Sequence, residues 1–270
     1  MLYKSEIVAR NNINIVGKGE QTLLLAHGFG CDQAMWRFLV PFLSDKYRLV
    51  LFDYVGSGQS EKSAYDAQKY SSLEGYAQDI VDICETLELE KVSVVAHSVS
   101  CIIATIAAQQ RPGYISNIIM VCPSPCFLNL PPDYLGGFEE QDLHELIALM
   151  DKNRIGWANY LAPLIAGTAN LEMFTQELAT SFCSTDPMVA KNFAKATFFS
   201  DYRHLLPHIS QPVSIIQSQT DALASLSIGE FMHKNIPRSK ISIIEAEGHC
   251  LHMTHPLHVA NKIEEFLGEE

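Results

Sequence analysis

An apolar, β-branched segment that runs into a lone serine and then into a helical pattern constrains the fold of this chain more than any other feature. Residues 92–96 have the composition of a buried strand, Ser98 follows them closely, and residues 101–104 begin an apolar helix. A sharp turn between a buried strand and a helix lifts one side chain out of the end of the strand. The stretch therefore predicts a fold that mixes strands and helices, with Ser98 as a candidate nucleophile.

The residues around this serine are small, as such a turn requires. Nucleophile turns of this kind usually carry glycine two places before and two places after the serine, where the strand and helix backbones crowd each other. Ala96 and Ser100 occupy those two places. The stretch by itself also suits an ordinary strand-to-helix junction, so the other loops of the chain have to decide between the two interpretations.

The charge of the chain excludes several classes of partner. Acidic residues outnumber basic ones by 31 to 19, which gives a formal net charge of -12, and no cluster of Lys and Arg stands against it. Nucleic acids and anionic membrane surfaces are therefore poor partners. No apolar run is long enough to cross a bilayer, and residues 1–6 contain an early acid and do not resemble a secretory signal.

The cysteines indicate a reducing compartment. There are 7 of them, an odd number, and no two form a Cys-x-x-Cys pair. This pattern argues against a disulfide framework and against a structural zinc site. We therefore expect reduced thiols, a cytoplasmic location, no metal and no cofactor.

A glycine-containing loop follows a second buried strand. Residues 22–26 are almost uniformly apolar, which is typical of a strand covered on both faces in a mostly parallel sheet. In the His-Gly-Phe-Gly sequence that follows, glycine lets main-chain N–H groups point into the crevice at the carboxyl ends of the strands. In an acyl-transfer enzyme the N–H groups of Phe29 and Val99 would form the oxyanion hole, although an ordinary loop with two glycines also fits.

An acid and a histidine follow two late strands. Asp221 lies just past an apolar run at residues 212–217, and His249 lies just past a run at residues 241–245. In enzymes with this chain order of Ser, Asp and His, the histidine takes the serine proton and the acid orients the imidazole. We therefore predict Ser98, Asp221 and His249 as the catalytic residues.

Competing interpretations of these loops are weaker. His252 and His255 are alternative bases, but only His249 follows its strand through a glycine. The histidine cluster matches no zinc-ligand spacing, and the pair Gly56 and Gly58 lacks the third glycine of a dinucleotide-binding loop. The loops therefore favour acyl transfer without a metal or a nucleotide.

Two local patterns concern the packing of the fold. Residues 6–10 and 13–16 predict an antiparallel hairpin at a sheet edge. Ser71-x-x-Glu74 predicts a capping box at the start of an amphipathic helix.

A helical insertion interrupts the alternation of strands and helices. Four prolines fall between residues 123 and 132. From about residue 134 to about residue 200 the patterning is helical, with no convincing strand and with room for about four helices. We expect residues 126–205 to form a lid on a core made of residues 1–125 and 206–270.

Such a lid would roof the candidate site from above the carboxyl edge of the sheet. The insertion is rich in large aromatic residues, most of which must pack one helix against another. We predict that Trp157, Phe138 and Phe198 line an apolar pocket for a small hydrophobic ligand.

Segments spread over the whole chain carry a resemblance to one branch of a known family. These segments are HGFGCDQ at 27–33, FDYVGSG at 52–58, PSPC at 123–126, GGFEE at 136–140, FCSTDP at 182–187, FFSD at 198–201 and GHC at 248–250. They resemble the branch of the α/β-hydrolase family that contains the bacterial stress-response regulator RsbQ and the plant strigolactone and karrikin receptors. The resemblance covers essentially the full length, including the helical insertion.

The resemblance implies an α/β-hydrolase fold: a mostly parallel sheet flanked by helices, with a four-helix lid over a hydrophobic cavity. The family's serine, acid and histidine fall on Ser98, Asp221 and His249. Its oxyanion donors fall on Phe29 and Val99.

The resemblance also implies two kinds of function. RsbQ works with a PAS-domain serine phosphatase in energy-stress activation of an alternative sigma factor, whereas the plant relatives hydrolyse and sense butenolide signals through protein partners. One hypothesis is therefore a hydrolase of a small hydrophobic ester or lactone, either slow and tied to signalling or a general esterase. The other is a protein that carries or senses a hydrophobic ligand without chemistry.

Overall fold

A seven-stranded sheet forms the centre of the structure, a computed structural model that describes residues 4–269. The described residues form nine strands: β1 (Asn14–Val16), β2 (Thr22–Ala26), β3 (Arg48–Leu51), β4 (Val92–His97), β5 (Ile115–Val121), β6 (Asn129–Leu130), β7 (Tyr134–Leu135), β8 (Val213–Thr220) and β9 (Ser239–Glu247). Seven of them form the central sheet, and β6 and β7 pair with each other outside it. The order across the sheet is β1-β3-β2-β4-β5-β8-β9, and β1 alone among these runs antiparallel to its neighbour. The predicted α/β fold with a mostly parallel sheet is confirmed.

Helices cover the sheet. They are α1 (Lys4–Arg10), α2 (Val40–Leu43), α3 (Leu73–Thr86), α4 (Ser100–Gln110), α5 (Glu140–Lys152), α6 (Arg154–Ala166), α7 (Glu172–Ser184), α8 (Pro187–Phe198), α9 (Leu226–Asn235), α10 (Leu251–Thr254) and α11 (Pro256–Gly268). Between residues 4 and 269, no helix has both the length and the apolar character that a membrane crossing needs. Residues 1–3, where the stretch considered for a secretory signal begins, lie outside the described part of the chain.

Strand β2 shows why the central strands are apolar at every position. Its side chains alternate between two separate cores, with Leu23 and Leu25 in one and Leu24 and Ala26 in the other. Successive side chains of a strand point to opposite faces, so a sheet that is covered on both faces needs an apolar residue at each position. The first core contains α11 residues and much of the insertion, and the second contains α3 and α4 residues.

The insertion between β5 and β8 consists of four helices, α5 to α8, and a short hairpin, β6–β7. The four helices match the number that the sequence predicts. The hairpin is a correction, because no strand was expected from residue 134 onward, and two-residue strands are too short to show a period in sequence. A hydrogen bond of 2.7 Å from the Tyr134 hydroxyl to the carbonyl of Cys126 holds the hairpin to the end of the core.

The amino-terminal hairpin was predicted wrongly. Residues 6–10 lie in helix α1, and only β1 forms a strand, paired antiparallel with β3 at the sheet edge. The helix places Ile7 in the second core and turns Arg10, three residues later, toward Asp79 and Asp82 of α3. Because positions three apart share a helix face, burial and ion pairing together select the helix over a strand.

The capping-box prediction is also corrected. The N-cap residue of α3 is Ser72, and the hydroxyl of Ser71 donates instead to the carbonyl of Gln68. The carboxylate of Glu74 accepts a hydrogen bond from the Tyr202 hydroxyl at 2.8 Å. The side chain of Glu74, which a capping box would use, thus bonds instead to a residue far away in the sequence, and local patterning does not show such a contact.

Candidate active site

Ser98 occupies the turn between β4 and α4. Its φ of 57° lies in the left-handed region, which is unfavourable for a residue with a side chain. The turn is held by a hydrogen bond of 2.9 Å from the Ser98 N–H to the carbonyl of Val121 at the end of β5. Strained backbone that the surrounding structure enforces is typical of functional residues.

Ser98, His249 and Asp221 form a continuous hydrogen-bonded chain. The Ser98 hydroxyl lies 2.8 Å from Nε2 of His249, and Nδ1 of the same ring lies 2.7 Å from Oδ2 of Asp221. All three side chains are buried. A carboxylate only accepts at neutral pH, so the geometry assigns the ring proton to Nδ1 and leaves Nε2 free to accept the serine proton.

Backbone amides fix the carboxylate of Asp221. Its Oδ1 accepts hydrogen bonds from the N–H groups of Leu223 at 2.8 Å and Ala224 at 3.0 Å. This leaves Oδ2 directed at His249. The loop after β8 therefore orients the acid before any ligand is present.

The insertion positions the histidine. The N–H of His249 donates to the carbonyl of Ile165 in α6 at 2.8 Å. Gly248 has a φ of 106°, and a Cβ on it would lie 2.3 Å from the carbonyl oxygen of Ala166. The end of α6 thus lies against the histidine loop so closely that only glycine fits, a contact that the sequence did not reveal.

The loop after β2 lies beside the nucleophile turn. A Cβ on Gly28 would lie 2.5 Å from Nδ1 of His97 and 3.4 Å from Cβ of Ser98, so the glycine permits this close approach. Phe29 follows at once on this loop, and Val99 follows Ser98 on the other side. Phe29 and Val99 therefore belong to the two loops that meet at Ser98, and their role as oxyanion donors stays a prediction.

A small cavity of about 20 Å³ adjoins Ser98 and His249. Its apolar lining includes Phe29, Phe127, Ile165, Leu178, Phe182 and Phe198. This space holds about one water molecule. A second cavity of about 10 Å³ lies beside the first and is lined by Trp157, Val189 and Phe193, among others.

The three residues that were predicted to line one pocket lie in three different places. Phe198 lines the cavity at Ser98, and Trp157 lines the neighbouring cavity instead. Phe138 lines neither of these two cavities, which corrects its assignment. Its ring stands 6.5 Å from that of Phe198 and packs against the first core. Phe127 and Phe182 were missed. Phe127 lies in the irregular segment before β6, where no period marks an inward side, and helical spacing alone does not show which aromatic residue of α7 points toward the site.

Three other histidines are excluded as the base by their positions. His97 donates from Nε2 to the carbonyl of His249 at 2.9 Å. The ring of His252 lies between those of Trp36 and His97, and His255 contacts Thr254. Burial lowers the pKa of His97 and that of His252, so both rings are neutral at pH 7.

Two thiols face the cavity without competing with Ser98. Cys31 and Cys250 both line it. Burial raises the pKa of each thiol, so both stay protonated at neutral pH. Since the thiolate is the nucleophilic form of cysteine, Ser98 with its adjacent base is the better candidate nucleophile.

The fold also gathers two groups of possible metal ligands. The donor atoms of His97, Cys250 and His252 lie within 4.8 Å of one another, and so do those of Cys122, Asp221 and His249. The second group overlaps the hydrogen-bonded chain, in which Asp221 and His249 already bind each other. In the first, histidine and cysteine are ligand types that suit zinc, although their spacing in sequence gave no such signal.

The chain belongs to the α/β hydrolase family. A family model described as alpha/beta hydrolase fold matches residues 21–150. The chain is 39% identical over 247 residues to karrikin insensitive 2 receptor CA from Petunia hybrida, covering 91% of each protein. It is 32% identical over 250 residues to strigolactone esterase D14 from Arabidopsis thaliana, covering 92% of this chain and 93% of that one.

A solved structure agrees along the whole chain. A hydrolase from Oleispira antarctica is 56% identical, with a TM-score of 0.98 over 100% of this chain and 98% of its own. The protein is thus an α/β hydrolase with esterases among its relatives.

Proposed function

We propose that this protein is a serine hydrolase of small hydrophobic esters or lactones, with Ser98 as the nucleophile. The observation that carries the proposal is the hydrogen-bonded chain from Ser98 through His249 to Asp221, at 2.8 and 2.7 Å. A serine hydroxyl is a weak nucleophile until an adjacent base takes its proton. The apolar lining of the cavity supports a hydrophobic substrate, because it supplies no charged partner for an ionic one.

In the acylation step, Nε2 of His249 takes the proton of Ser98 as its oxygen attacks the ester carbonyl. The negative charge that develops on the carbonyl oxygen is stabilised by the N–H groups of Phe29 and Val99. Asp221 holds the ring in the required tautomer and stabilises its charged form. The proton then passes from His249 to the leaving alcohol, and an acyl group remains on Ser98.

In the deacylation step, water replaces the alcohol. His249 takes a proton from the water, whose oxygen attacks the acyl carbonyl, and returns that proton to Ser98 as the acid leaves. A lactone follows the same steps, except that its alcohol and acid remain parts of one molecule.

The test compares Ser98→Ala with the unchanged protein on p-nitrophenyl acetate and on a butenolide probe. We expect a loss of at least about a thousandfold in kcat. Ser116→Ala is the matched control, because that hydroxyl only donates to main-chain carbonyls at the start of β4 and before it. Equal turnover by Ser98→Ala and the unchanged protein would sink the proposal.

A signalling role is a second part of the proposal. Two observations support it: one relative, from Petunia hybrida, is a receptor, and the cavity at Ser98 is so small that its lining must move to admit a ligand, which favours slow turnover. The partner that we propose is a PAS-domain serine phosphatase, in the cytoplasm, where the seven free cysteines stay reduced.

A stress-reporter strain that lacks this protein tests that role. We expect the unchanged protein to restore the reporter and Ser98→Ala to fail. Rescue by Ser98→Ala would show that signalling does not require hydrolysis. Absence of rescue by the unchanged protein would overturn the signalling role while leaving the hydrolase function intact.

A further inference from the structure

The two cavities of the site share two lining residues, Phe29 and Phe182. These two phenylalanines therefore lie at the boundary between the cavities. The first reaches Ser98 and His249, and the second extends to Trp157 and Ala190. The second cavity therefore lies behind the first as seen from the nucleophile.

Neither cavity alone can hold the acyl group of a typical ester. Their volumes are about 20 and about 10 Å³, whereas a cavity that binds benzene measures about 150 Å³. A substrate must therefore displace part of the lining. The side chain that moves decides in which direction the pocket grows.

Phe182 is the residue of this boundary that the loop after β2 does not carry. Its main-chain carbonyl is held by the guanidinium of Arg154, with an Nη2 distance of 2.8 Å, but its ring makes only van der Waals contacts. A Cβ on Gly30 would lie 2.5 Å from this ring, so the ring occupies space that a glycine leaves open. Rotation of the side chain about χ1 would open this boundary without moving α7.

Phe29, the other residue of the boundary, is tied to the candidate active site by its neighbours in sequence and space. Its ring makes edge contacts with Trp157, Phe193 and Phe198 at centroid distances of 6.2, 5.6 and 5.5 Å. Its main chain belongs to the loop that approaches Ser98 through Gly28. Moving it would disturb the proposed oxyanion hole, so the cavities are expected to join at Phe182.

We propose that the second cavity is a subsite for an unbranched apolar tail on the acyl group of the substrate, and that Phe182 sets the acyl-chain length accepted. This inference rests on the proposed hydrolase function. The second cavity is lined by apolar and hydroxyl side chains and by no charged one, which suits a neutral chain and not a carboxylate or an amine. Short acyl groups would extend no farther than the first cavity and would not reach the second.

The pocket for the acyl tail could instead extend from the other side of the first cavity. Leu178 lines that cavity and also a surface groove between α7 and the loop after β2. An acyl tail could therefore leave toward solvent past Leu178. The two routes differ in which side chain has to be truncated to admit a long chain.

The experiment measures the ratio of kcat/KM for p-nitrophenyl octanoate to that for p-nitrophenyl acetate, which have the same leaving group. We expect Phe182→Ala to raise this ratio by about tenfold or more, because joined cavities admit the additional methylenes. Ala190→Leu, which fills the second cavity, should lower the ratio by about tenfold. Leu178→Ala tests the rival route, and thermal unfolding of each variant shows that it is folded.

The outcomes separate the two proposals. An unchanged ratio in Phe182→Ala, a larger rise in Leu178→Ala, or a response to the length of the alcohol in acetate esters and not to that of the acyl chain would each overturn the subsite. Absence of Ser98-dependent hydrolysis of the acetate in the unchanged protein would instead overturn the hydrolase function itself.

Discussion

The hydroxyl of Ser100, two residues after the candidate nucleophile, donates a hydrogen bond to the main-chain carbonyl of His27. The same hydroxyl accepts a hydrogen bond from Tyr54 at 3.0 Å, and Nε2 of His27 accepts one from the N–H of Tyr54 at 3.2 Å. These contacts join the first residue of α4 to the loops after β2 and β3. They therefore set the spacing between the two N–H groups proposed to bind the oxyanion.

Ser100→Ala should lower kcat by about tenfold and leave KM nearly unchanged. Loss of the hydroxyl frees the loop that carries Phe29, and misplaced oxyanion donors weaken transition-state binding more than substrate binding. Steady-state kinetics on p-nitrophenyl acetate measure both parameters. Thr105→Ala is the control, because that hydroxyl bonds only within α4, to the carbonyl of Cys101 at 2.9 Å. A kcat equal to that of the unchanged protein would show that the bond does not position the loop.

Asp221→Asn should lower kcat by about ten-thousandfold while the protein remains folded. An amide can present N–H to the ring and so favours the wrong tautomer of His249, as in the serine protease from which this magnitude is taken. The measurement is kcat at pH 8, with circular dichroism to verify the fold. Glu264→Gln serves as the control, since that carboxylate is paired with Lys46 on the surface. Less than a tenfold loss in Asp221→Asn would refute its role.

Replacement of His252 by Phe should weaken the pH dependence of stability below pH 6.5. Burial lowers the pKa of His252 from 6.5 to about 3, so between these values the unfolded chain binds a proton that the folded chain does not. Its contribution to stability is complete above pH 6.5 and is lost as the pH falls. Stability therefore rises with pH in this window, and the variant should lose up to about 1.4 kcal/mol per pH unit of that slope.

Urea unfolding between pH 5 and pH 7 measures this slope. His97 lies against the ring of His252, and burial lowers its pKa as well, so part of the slope persists in the variant. The exposed His208, replaced by Gln, provides the comparison. Equal slopes for His252→Phe and the unchanged protein would mean that His252 is protonated, or bound to another cation, inside the fold.

Asp79→Asn should destabilise the protein by about 3 kcal/mol or more. The buried carboxylate accepts from Lys69 at 3.0 Å, Tyr70 at 2.8 Å and the N–H of Val55 at 3.1 Å, and it lies 3.5 Å from Arg10. Removing one charge from a buried network leaves its cations uncompensated. Urea unfolding at pH 7 gives the free energy.

The exposed pair of Lys262 and Glu265 is the matched comparison for Asp79. Glu265→Gln should cost less than about 1 kcal/mol, because water screens an exposed pair. If the two variants lost similar free energies, the Asp79 network would contribute no more than a surface ion pair.

Sequence patterns predicted elements whose cause is local. Residues 22–26 appear as β2 without a shift, since a strand covered on both faces has an apolar residue at each position. The prediction of a strand at residues 6–10 failed because five residues do not distinguish a helix from a strand. Ion pairs with α3 decided the outcome. Phe138 was predicted to line the pocket at Ser98 and does not, whereas Phe182 lines it and was not predicted, because the side that an aromatic residue faces depends on how its segment packs on the rest of the fold.

The sequence by itself determined the chain order of Ser98, Asp221 and His249, the loops that carry them and the alternation of strands and helices. These follow from periodicity and turn chemistry, which act over a few residues. Only the tertiary structure decided that α6 holds the histidine loop, that Ser100 bonds to the loop after β2, and that Phe29 and Phe182 divide the space above Ser98. Those contacts join residues far apart in the chain, and their geometry depends on how whole elements pack. The turn at Ser98 could therefore be recognised from one stretch, whereas the shape of its pocket could not.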